Sequence, residues 1–133
     1  MKAHVKNIIG GAALGLALLA PTIPLWAGYK NSPPHEVFVA AASHATGALP
    51  AARYSNDTTQ YIGCLGSGSA AVSDMLCFAR DKNGATLTCG TYDAKLISAA
   101  RAITGSSSIF FQVAPGTATC SSLVVEDNSS HLR

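Results

Sequence analysis

The sequence predicts a small α+β domain in which one helix packs on an antiparallel sheet of order β-β-β-α-β-β, held by two disulfides. In the second half of the chain, short apolar and β-branched runs alternate with turn residues, interrupted by one stretch with helical spacing. All four cysteines lie in that half (Cys64, Cys77, Cys89 and Cys120). The N-terminus is apolar and flanked by lysines, which indicates export to a compartment where cysteines pair.

Five strands are expected, at residues 59–65, 72–80, 85–90, 109–113 and 119–126. The strongest turn signal is Lys82-Asn83-Gly84, because glycine supplies the positive φ that a tight hairpin requires. The strand before this turn has apolar residues on both faces: Met75, Cys77 and Ala79 on one, and Val72, Leu76 and Phe78 on the other. We therefore expect it to be a central strand that is covered on both sides.

One helix is expected over residues 94–103, between the third and fourth strands. Thr91 or Asp93 can cap its start, and Gly105 stands where a left-handed residue would end it. Four apolar residues share one helix face: Leu96, Ala99, Ala100 and Ile103. Together with the apolar strand positions, this face predicts a buried core that contains Leu76, Phe78, Leu96, Ile103, Phe111 and Val124.

Four cysteines allow three disulfide pairings, and the register of the hairpin distinguishes two of them. If Lys82-Asn83-Gly84 is a three-residue loop, Cys77 faces Cys89 across the hairpin, which favours Cys77–Cys89 together with Cys64–Cys120. A two-residue turn shifts the register by one and favours Cys64–Cys77 together with Cys89–Cys120. Two bridges, at about 2–4 kcal/mol each, would stabilise a core that is too small to be secure alone.

The chain is expected to consist of a signal peptide (1–27), a flexible tether (28–53) and a disulfide-stapled α+β domain (54–133). The first segment has a basic start and an apolar run of signal-peptide length, and an uncleaved membrane anchor is its alternative. The second segment contains Pro33-Pro34 and no cysteine, which favours an extended chain. Within it, residues 37–42 are apolar enough to pack on the domain as a strand or short helix.

The charge balance argues against nucleic acid as a partner. The whole chain has nine Lys and Arg against seven Asp and Glu, a formal net charge of +2. Lys2 and Lys6 leave with the signal peptide, so the exported chain has seven of each sign. Binding to a phosphate backbone requires clustered positive charge, and the remaining basic residues are scattered.

The sequence predicts no catalytic, cofactor or metal site, and we expect no enzyme activity. Zinc sites use closely spaced cysteine pairs, whereas these cysteines are 13, 12 and 31 residues apart. The histidines of the exported chain fall in the tether or near the C-terminus (His35, His44 and His131). A catalytic base on such a segment would not be held in a productive geometry.

The serines and acidic residues have ordinary structural interpretations. Gly66-Ser67-Gly68-Ser69 is expected to be a flexible turn, since it does not match the G-x-S-x-G pattern of an activated serine. The acidic residues are expected to flank strands, start the helix or follow the last strand: Asp74, Asp81, Asp93, Glu126 and Asp127. We therefore expect no pair of carboxylates to converge in a cleft.

Several short motifs resemble those of small exported, disulfide-containing proteins of Gram-negative bacteria. They are Tyr61-Ile62-Gly63-Cys64, Cys77-Phe78-Ala79-Arg80 with Asn83-Gly84 and Cys89, Ala100-Arg101-Ala102-Ile103, and Ile109-Phe110-Phe111 with Cys120. The resemblance covers residues 61–129. It implies a secreted or periplasmic location and the limits of the domain, and it carries no assigned activity.

Two functional hypotheses follow. The first is a non-enzymatic exported module that binds a protein or polysaccharide in the envelope or outside the cell, with Tyr54, Tyr61 and Tyr92 available for a surface. The second is a small secreted enzyme or enzyme inhibitor. A flat aromatic or edge-strand surface would favour the first, and a cleft with converging acids and an ordered histidine would favour the second. A membrane contact is expected only if the signal peptide is not cleaved.

Overall fold

Residues 35–127 are described by the computed structural model, so the predicted signal peptide and His131 lie outside the described residues. The strands are β1 (Phe38–Ala40), β2 (His44–Ala48), β3 (Tyr61–Gly68), β4 (Ser73–Arg80), β5 (Thr86–Thr91), β6 (Ser108–Val113) and β7 (Cys120–Glu126). The helices are α1 (Leu49–Arg53) and α2 (Ala94–Arg101). The predicted order β-β-β-α-β-β therefore appears from β3 to β7, preceded by two strands and a second helix.

The strands form two antiparallel sheets, which corrects the expectation of one sheet with one helix. The first sheet has the order β1-β2-β6-β7, and the second has the order β3-β4-β5. Each sheet contributes its inner face to one common core. From the first sheet and the residues beside it come Val37, Val39, Ala45, Ile109, Phe111, Val113 and Leu123, and from the second come Ile62, Met75, Cys77, Ala79, Leu87 and Cys89.

The central position of β4 is confirmed, but only one of its faces is covered. Met75, Cys77 and Ala79 are buried against the first sheet and α2, whereas Leu76 is exposed. Within residues 35–127, no strand or helix packs over the other face. The prediction of cover on both sides came from apolar residues on both faces of the strand. Alternation shows which residues share a face, but it does not show what lies over that face.

Phe111 is fully buried, as predicted, because it lies on the inner face of β6 between β2 and β7. Phe78, Leu96 and Ile103 are only half-buried. The predicted burial of Leu76 and Val124 is wrong, since both side chains project from the outer faces of their sheets.

Helix α2 begins as predicted at Asp93, whose carboxylate accepts hydrogen bonds from the backbone N–H groups of Lys95 (2.9 Å) and Leu96 (3.1 Å). Its fully buried residue is Ile97, and the predicted apolar face lies half-buried beside it. The helix ends without a left-handed residue, so the role expected of Gly105 is wrong. The N–H groups of Ala102 and Ile103 turn back onto carbonyls three residues earlier, which satisfies the helix end.

The hairpin between β4 and β5 has the expected three-residue loop. The backbone N–H of Asp81 donates to the carbonyl of Ala85 at 3.0 Å, and Gly84 has a φ of 88°. The buried carboxylate of Asp81 accepts hydrogen bonds from the N–H groups of Asn83 and Ala85, both at 2.9 Å. Cys77 therefore faces Cys89, as the three-residue loop predicts.

The disulfides are Cys64–Cys77 and Cys89–Cys120, so the favoured pairing of Cys77 with Cys89 is wrong and the alternative is confirmed. The pair Asp81:Ala85 is hydrogen-bonded, and such pairs recur at every second position, so the amide groups of Cys77 point toward Cys89 on β5. Cys77 then meets Cys64 on β3 in a non-hydrogen-bonded pair, where side chains lie closer. The Cα atoms of Cys64 and Cys77 are 4.0 Å apart.

The flexible tether predicted over 28–53 is wrong for its described part, residues 35–53, which form β1, β2 and α1, and the alternative that residues 37–42 pack on the domain as a strand is confirmed by β1. Val37 and Val39 are buried while Phe38 between them is exposed, which is the alternation of a half-covered strand. A Cβ on Gly47 would lie 3.0 Å from the Cα of Val37, so this glycine lets the two segments approach closely.

Candidate binding face on the second sheet

The second sheet has one face that no part of residues 35–127 covers, and we call it the outer face. Its residues alternate with the buried ones of each strand. They are Tyr61, Gly63, Leu65 and Ser67 on β3, Asp74, Leu76, Phe78 and Arg80 on β4, and Thr86, Thr88 and Gly90 on β5, with Tyr92 just beyond. The face is therefore a three-stranded platform about 20 Å long, at about 3.4 Å per residue.

The outer face exposes large apolar side chains. The exposed fractions are 43% for Tyr61, 58% for Leu65, 41% for Leu76 and 75% for Tyr92. Val72, in the connection between β3 and β4, adds a further exposed side chain. Single exposed apolar residues are ordinary on a protein surface, but a contiguous group on one sheet face is typical of a contact site.

Two glycines flatten this face. The ring of Phe78 lies over Gly63, where an added Cβ would be 3.6 Å from the ring, and Leu76 lies beside Gly90 in the same way, at 3.8 Å. The ring of Tyr61 meets that of Phe78 edge-on, with centroids 5.9 Å apart. The side chains of β4 thus spread sideways over both neighbouring strands, and the platform has few projections.

Two charges of opposite sign mark the ends of this face. Asp74 is near the start of β4 and Arg80 is its last residue, and both belong to the outer face. Asp74 accepts a hydrogen bond from the hydroxyl of Ser67 on β3. The guanidinium group of Arg80 extends toward the hairpin loop, since a Cβ on Gly84 would lie 3.6 Å from one of its nitrogens. The residues between them on the face are uncharged.

A depression of 330 Å³ lies at the Asp74 end of the outer face. Its walls are the apolar side chains of Leu65 and Leu76 and the ring of Tyr92, and Asp74 and Ser67 supply polar groups. An apolar wall with a carboxylate is suited to a side chain that has a long apolar stem and a positive head.

The predicted histidines occupy different places from those expected. His44 is the first residue of β2 and is half-buried, so its assignment to a flexible tether is wrong. Its ring lies between Phe38 and Phe110, with centroids 6.1 and 5.5 Å away, and Ser43 is hydrogen-bonded to its Nδ1 at 3.1 Å. His35 borders a separate cavity of 370 Å³ on the outer side of the first sheet.

The acidic residues are distributed among separate structural roles. Asp81 holds the hairpin loop and Asp93 caps α2, as their positions in the sequence suggest. Asp127 accepts hydrogen bonds from the hydroxyl groups of Thr104 (3.0 Å) and Ser107 (2.9 Å), which ties the end of β7 to the loop after α2. Within residues 35–127, no group of three or more histidine, cysteine or acidic side chains is arranged to hold a metal ion.

One acidic residue that the sequence did not single out is Asp57. Its pKa is lowered from 3.8 to about 2, chiefly because its carboxylate accepts hydrogen bonds from the side chain and backbone of Gln60. The other end of the Gln60 amide accepts a hydrogen bond from the N–H of Val37 at 2.8 Å. We call this arrangement the Gln60 bridge, since it connects the loop before β3 to the chain entering β1.

The serine-glycine segment 66–69 also differs from the predicted flexible turn, because Gly66, Ser67 and Gly68 continue β3.

All four cysteines are in disulfides, which indicates an oxidising, non-cytoplasmic location. Neither of the helices between residues 35 and 127 is long and apolar enough to cross a membrane.

Comparisons of the chain with protein-family models, with curated proteins and with solved structures found no match.

Proposed function

We propose that the protein is an exported, non-enzymatic module that binds a protein partner through the outer face of its second sheet. The observation that carries the proposal is the flat group of exposed apolar side chains formed by Tyr61, Leu65, Leu76 and Tyr92 around Phe78. The centres of protein interfaces are enriched in aromatic residues and depleted of charged residues. The disulfides, the apolar N-terminus and the resemblance to exported bacterial proteins support a secreted or periplasmic location.

The chemistry of the face favours a protein over a polysaccharide as the partner. Leu65 and Leu76 lie side by side in the middle of the platform and offer no hydrogen bonds to hydroxyl groups. The polar side chains lie toward the ends or on β5, as with Ser67, Asp74 and Arg80. An apolar centre with a polar rim is the arrangement of a protein interface.

A small secreted enzyme or inhibitor is the second candidate, and the ordered ring of His44 is the observation that favours it. The carboxylates of Asp81, Asp93 and Asp127 are engaged in the hairpin, the helix cap and the loop after α2. These engagements favour the binding module over the enzyme.

Site-specific photo-crosslinking in the producing cell tests the proposal. A photoreactive amino acid is placed at Leu65 or Tyr92 on the outer face, and at Val124 or Phe38 as matched controls on the first sheet, since those side chains are also exposed. We expect discrete crosslinked products from the first two positions and none from the controls. Equal products from both sheets, or none from the outer face, would contradict the proposal.

A further inference from the structure

We propose that the partner at the outer face is a second copy of this chain, docked face to face with β4 running antiparallel to β4 of the partner. The inference rests on the proposed function, because it names the partner for the same face. Two observations carry it. The charges at the ends of β4 are self-complementary, and the depression at the Asp74 end is lined by residues that suit an arginine side chain.

The charges select the orientation of the two copies. Asp74 and Arg80 lie three residues before and three residues after Cys77 on β4. A two-fold axis that crosses the strands at the level of Cys77 reverses β4 and places Arg80 of each copy over Asp74 of the other, forming two ion pairs. An axis along β4 would instead bring like charges together, which is unfavourable.

The side chains between the charges are uncharged, and the same rotation brings apolar residues of β4 together. The rotation places each residue that lies one position after Cys77 opposite the residue that lies one position before it in the other copy. Phe78 of one copy therefore meets Leu76 of the other. On β3, Leu65 meets Gly63, and on β5, Thr88 meets Gly90. The space beside Gly63 and Gly90 is filled by Phe78 and Leu76 of the same copy, so the two faces meet as flat surfaces and do not interdigitate.

The depression at the Asp74 end provides a place for the arginine of the second copy. Its apolar walls, Leu65, Leu76 and Tyr92, suit the methylene stem of Arg80, and Asp74 suits the guanidinium group. Because the axis is two-fold, each copy both inserts an arginine and receives one.

The size of the face sets the expected strength. Three strands about 4.8 Å apart and about 20 Å long cover roughly 300 Å² per copy in projection, or about 600 Å² for two copies, which is below the roughly 1,200 Å² of standard specific interfaces and is typical of weak association. We therefore expect a weak, reversible dimer with a dissociation constant between roughly 10 μM and 1 mM.

Sedimentation velocity over a concentration series, with the exported protein and its disulfides intact, measures this equilibrium. Arg80→Asp places four carboxylates at the two ends of the interface, and Asp74→Arg places four arginines there. Each variant is expected to weaken dimerisation at least 10-fold, which corresponds to about 1.4 kcal/mol. The matched control is Arg101→Asp, which changes the same charge on an exposed position of α2 and is expected to leave dimerisation unchanged.

Mixing the two variants gives the decisive result. Arg80→Asp and Asp74→Arg should each be monomeric alone and should dimerise with each other, because both ion pairs are restored, one with its original polarity and one reversed. The double variant Asp74→Arg with Arg80→Asp should also recover self-association. Equal weakening by Arg80→Asp and Arg101→Asp, or no association of the mixed variants, would overturn the proposed geometry.

The same experiments separate this inference from the proposed function. A wild-type protein that stays monomeric up to about 1 mM, while Leu65 and Tyr92 crosslink to a different protein, would overturn the dimer and support the binding module. A monomer that gives no crosslink at the outer face would overturn both.

Discussion

Cys77 and Cys89 lie directly opposite each other on β4 and β5, yet each sulfur is bonded to a cysteine of another strand. Cys77 is joined to Cys64 within the second sheet. Cys89 is joined to Cys120 on β7, so this second bridge connects the two sheets. The two disulfides thus have different roles, one within a sheet and one between sheets.

Removal of the disulfides in matched pairs should distinguish these roles. Replacing both Cys89 and Cys120 by alanine should destabilise the protein more than replacing both Cys64 and Cys77, because the separations are 31 and 13 residues. Each loss is expected to be about 2–5 kcal/mol, and chain entropy alone makes the difference between them about 0.8 kcal/mol. Urea unfolding of the two double variants measures it.

Non-reducing peptide mapping provides the control for that comparison. It should recover peptides that join Cys64 to Cys77 and Cys89 to Cys120. Recovery of a peptide that joins Cys77 to Cys89 would contradict the assigned bridges. Chelators should leave the unfolding curve unchanged, since the sulfurs are bonded to each other.

Truncation of Phe111 should show where the core lies. This ring is fully buried between the sheets, so Phe111→Ala is expected to cost about 3–5 kcal/mol. Val124→Ala is the matched control on the neighbouring strand, where the side chain is 46% exposed, and it should cost less than about 1 kcal/mol. Similar losses at the two positions, measured by denaturant unfolding, would show that the faces of the first sheet are misassigned.

Because of the Gln60 bridge, the stability of the folded protein should decrease at acidic pH. The pKa of Asp57 is about 2 in the folded protein against an ordinary value of 3.8, so the folded state favours the charged carboxylate. Its contribution is therefore present above pH 3.8 and is lost as the pH falls through about 2. Asp57→Asn should lower the melting temperature at neutral pH, and the difference from wild type should shrink toward pH 2.

Melting curves recorded at several pH values provide the measurement. A constant difference between wild type and Asp57→Asn across the acid range would show that the carboxylate charge is not the cause. Gln60→Leu serves as a second variant, because it removes the amide that joins Asp57 to Val37 and should weaken the same pH dependence, while the backbone N–H groups of residues 59 and 60 keep part of it.

Hydrogen exchange should show that the chain from Val37 onward belongs to the folded unit. The N–H groups of Val37, Ala48 and Leu49 donate to Gln60 Oε1 (2.8 Å), the His35 carbonyl (3.0 Å) and the Ser107 carbonyl (2.9 Å). These amides should exchange as slowly as those of β6, because their hydrogen bonds open only with the fold. Fast exchange throughout residues 35–53 would contradict this expectation and would support a flexible tether.

Local patterns predicted β3 to β7, the cap at Asp93 and the hairpin register, because turn residues and alternation act over short distances. The pairing of β2 with β6 joins residues about sixty positions apart, and nothing in the small side chains of Ala45 or Gly47 signals it. Whether Cys77 pairs with Cys64 or with Cys89 depends on which neighbouring strand the amide groups of Cys77 face. This is set by the hydrogen-bond pattern of the hairpin, which sequence spacing does not show.

The candidate face was predictable only in part. Tyr61 and Tyr92 were expected to be available at a surface, and both are exposed. Leu65 and Leu76 were not assigned to that surface, and Leu76 was assigned to the core, since an apolar residue on a central strand is usually buried. What distinguishes the two outcomes is whether another layer covers the sheet, and that depends on the whole topology.

The chain leaves the first sheet at Ala48 and returns to it at Ser108, and these two residues are partners in the ladder of β2 and β6. Residues 49–107 are therefore an insert whose two ends meet at one point of a host sheet. Inserts with adjacent ends can be exchanged between proteins or moved by circular permutation. The proposed binding face belongs to this insert, and because Cys89 of the insert is bonded to Cys120 on β7, a transplanted insert would need a host strand that supplies the partner cysteine.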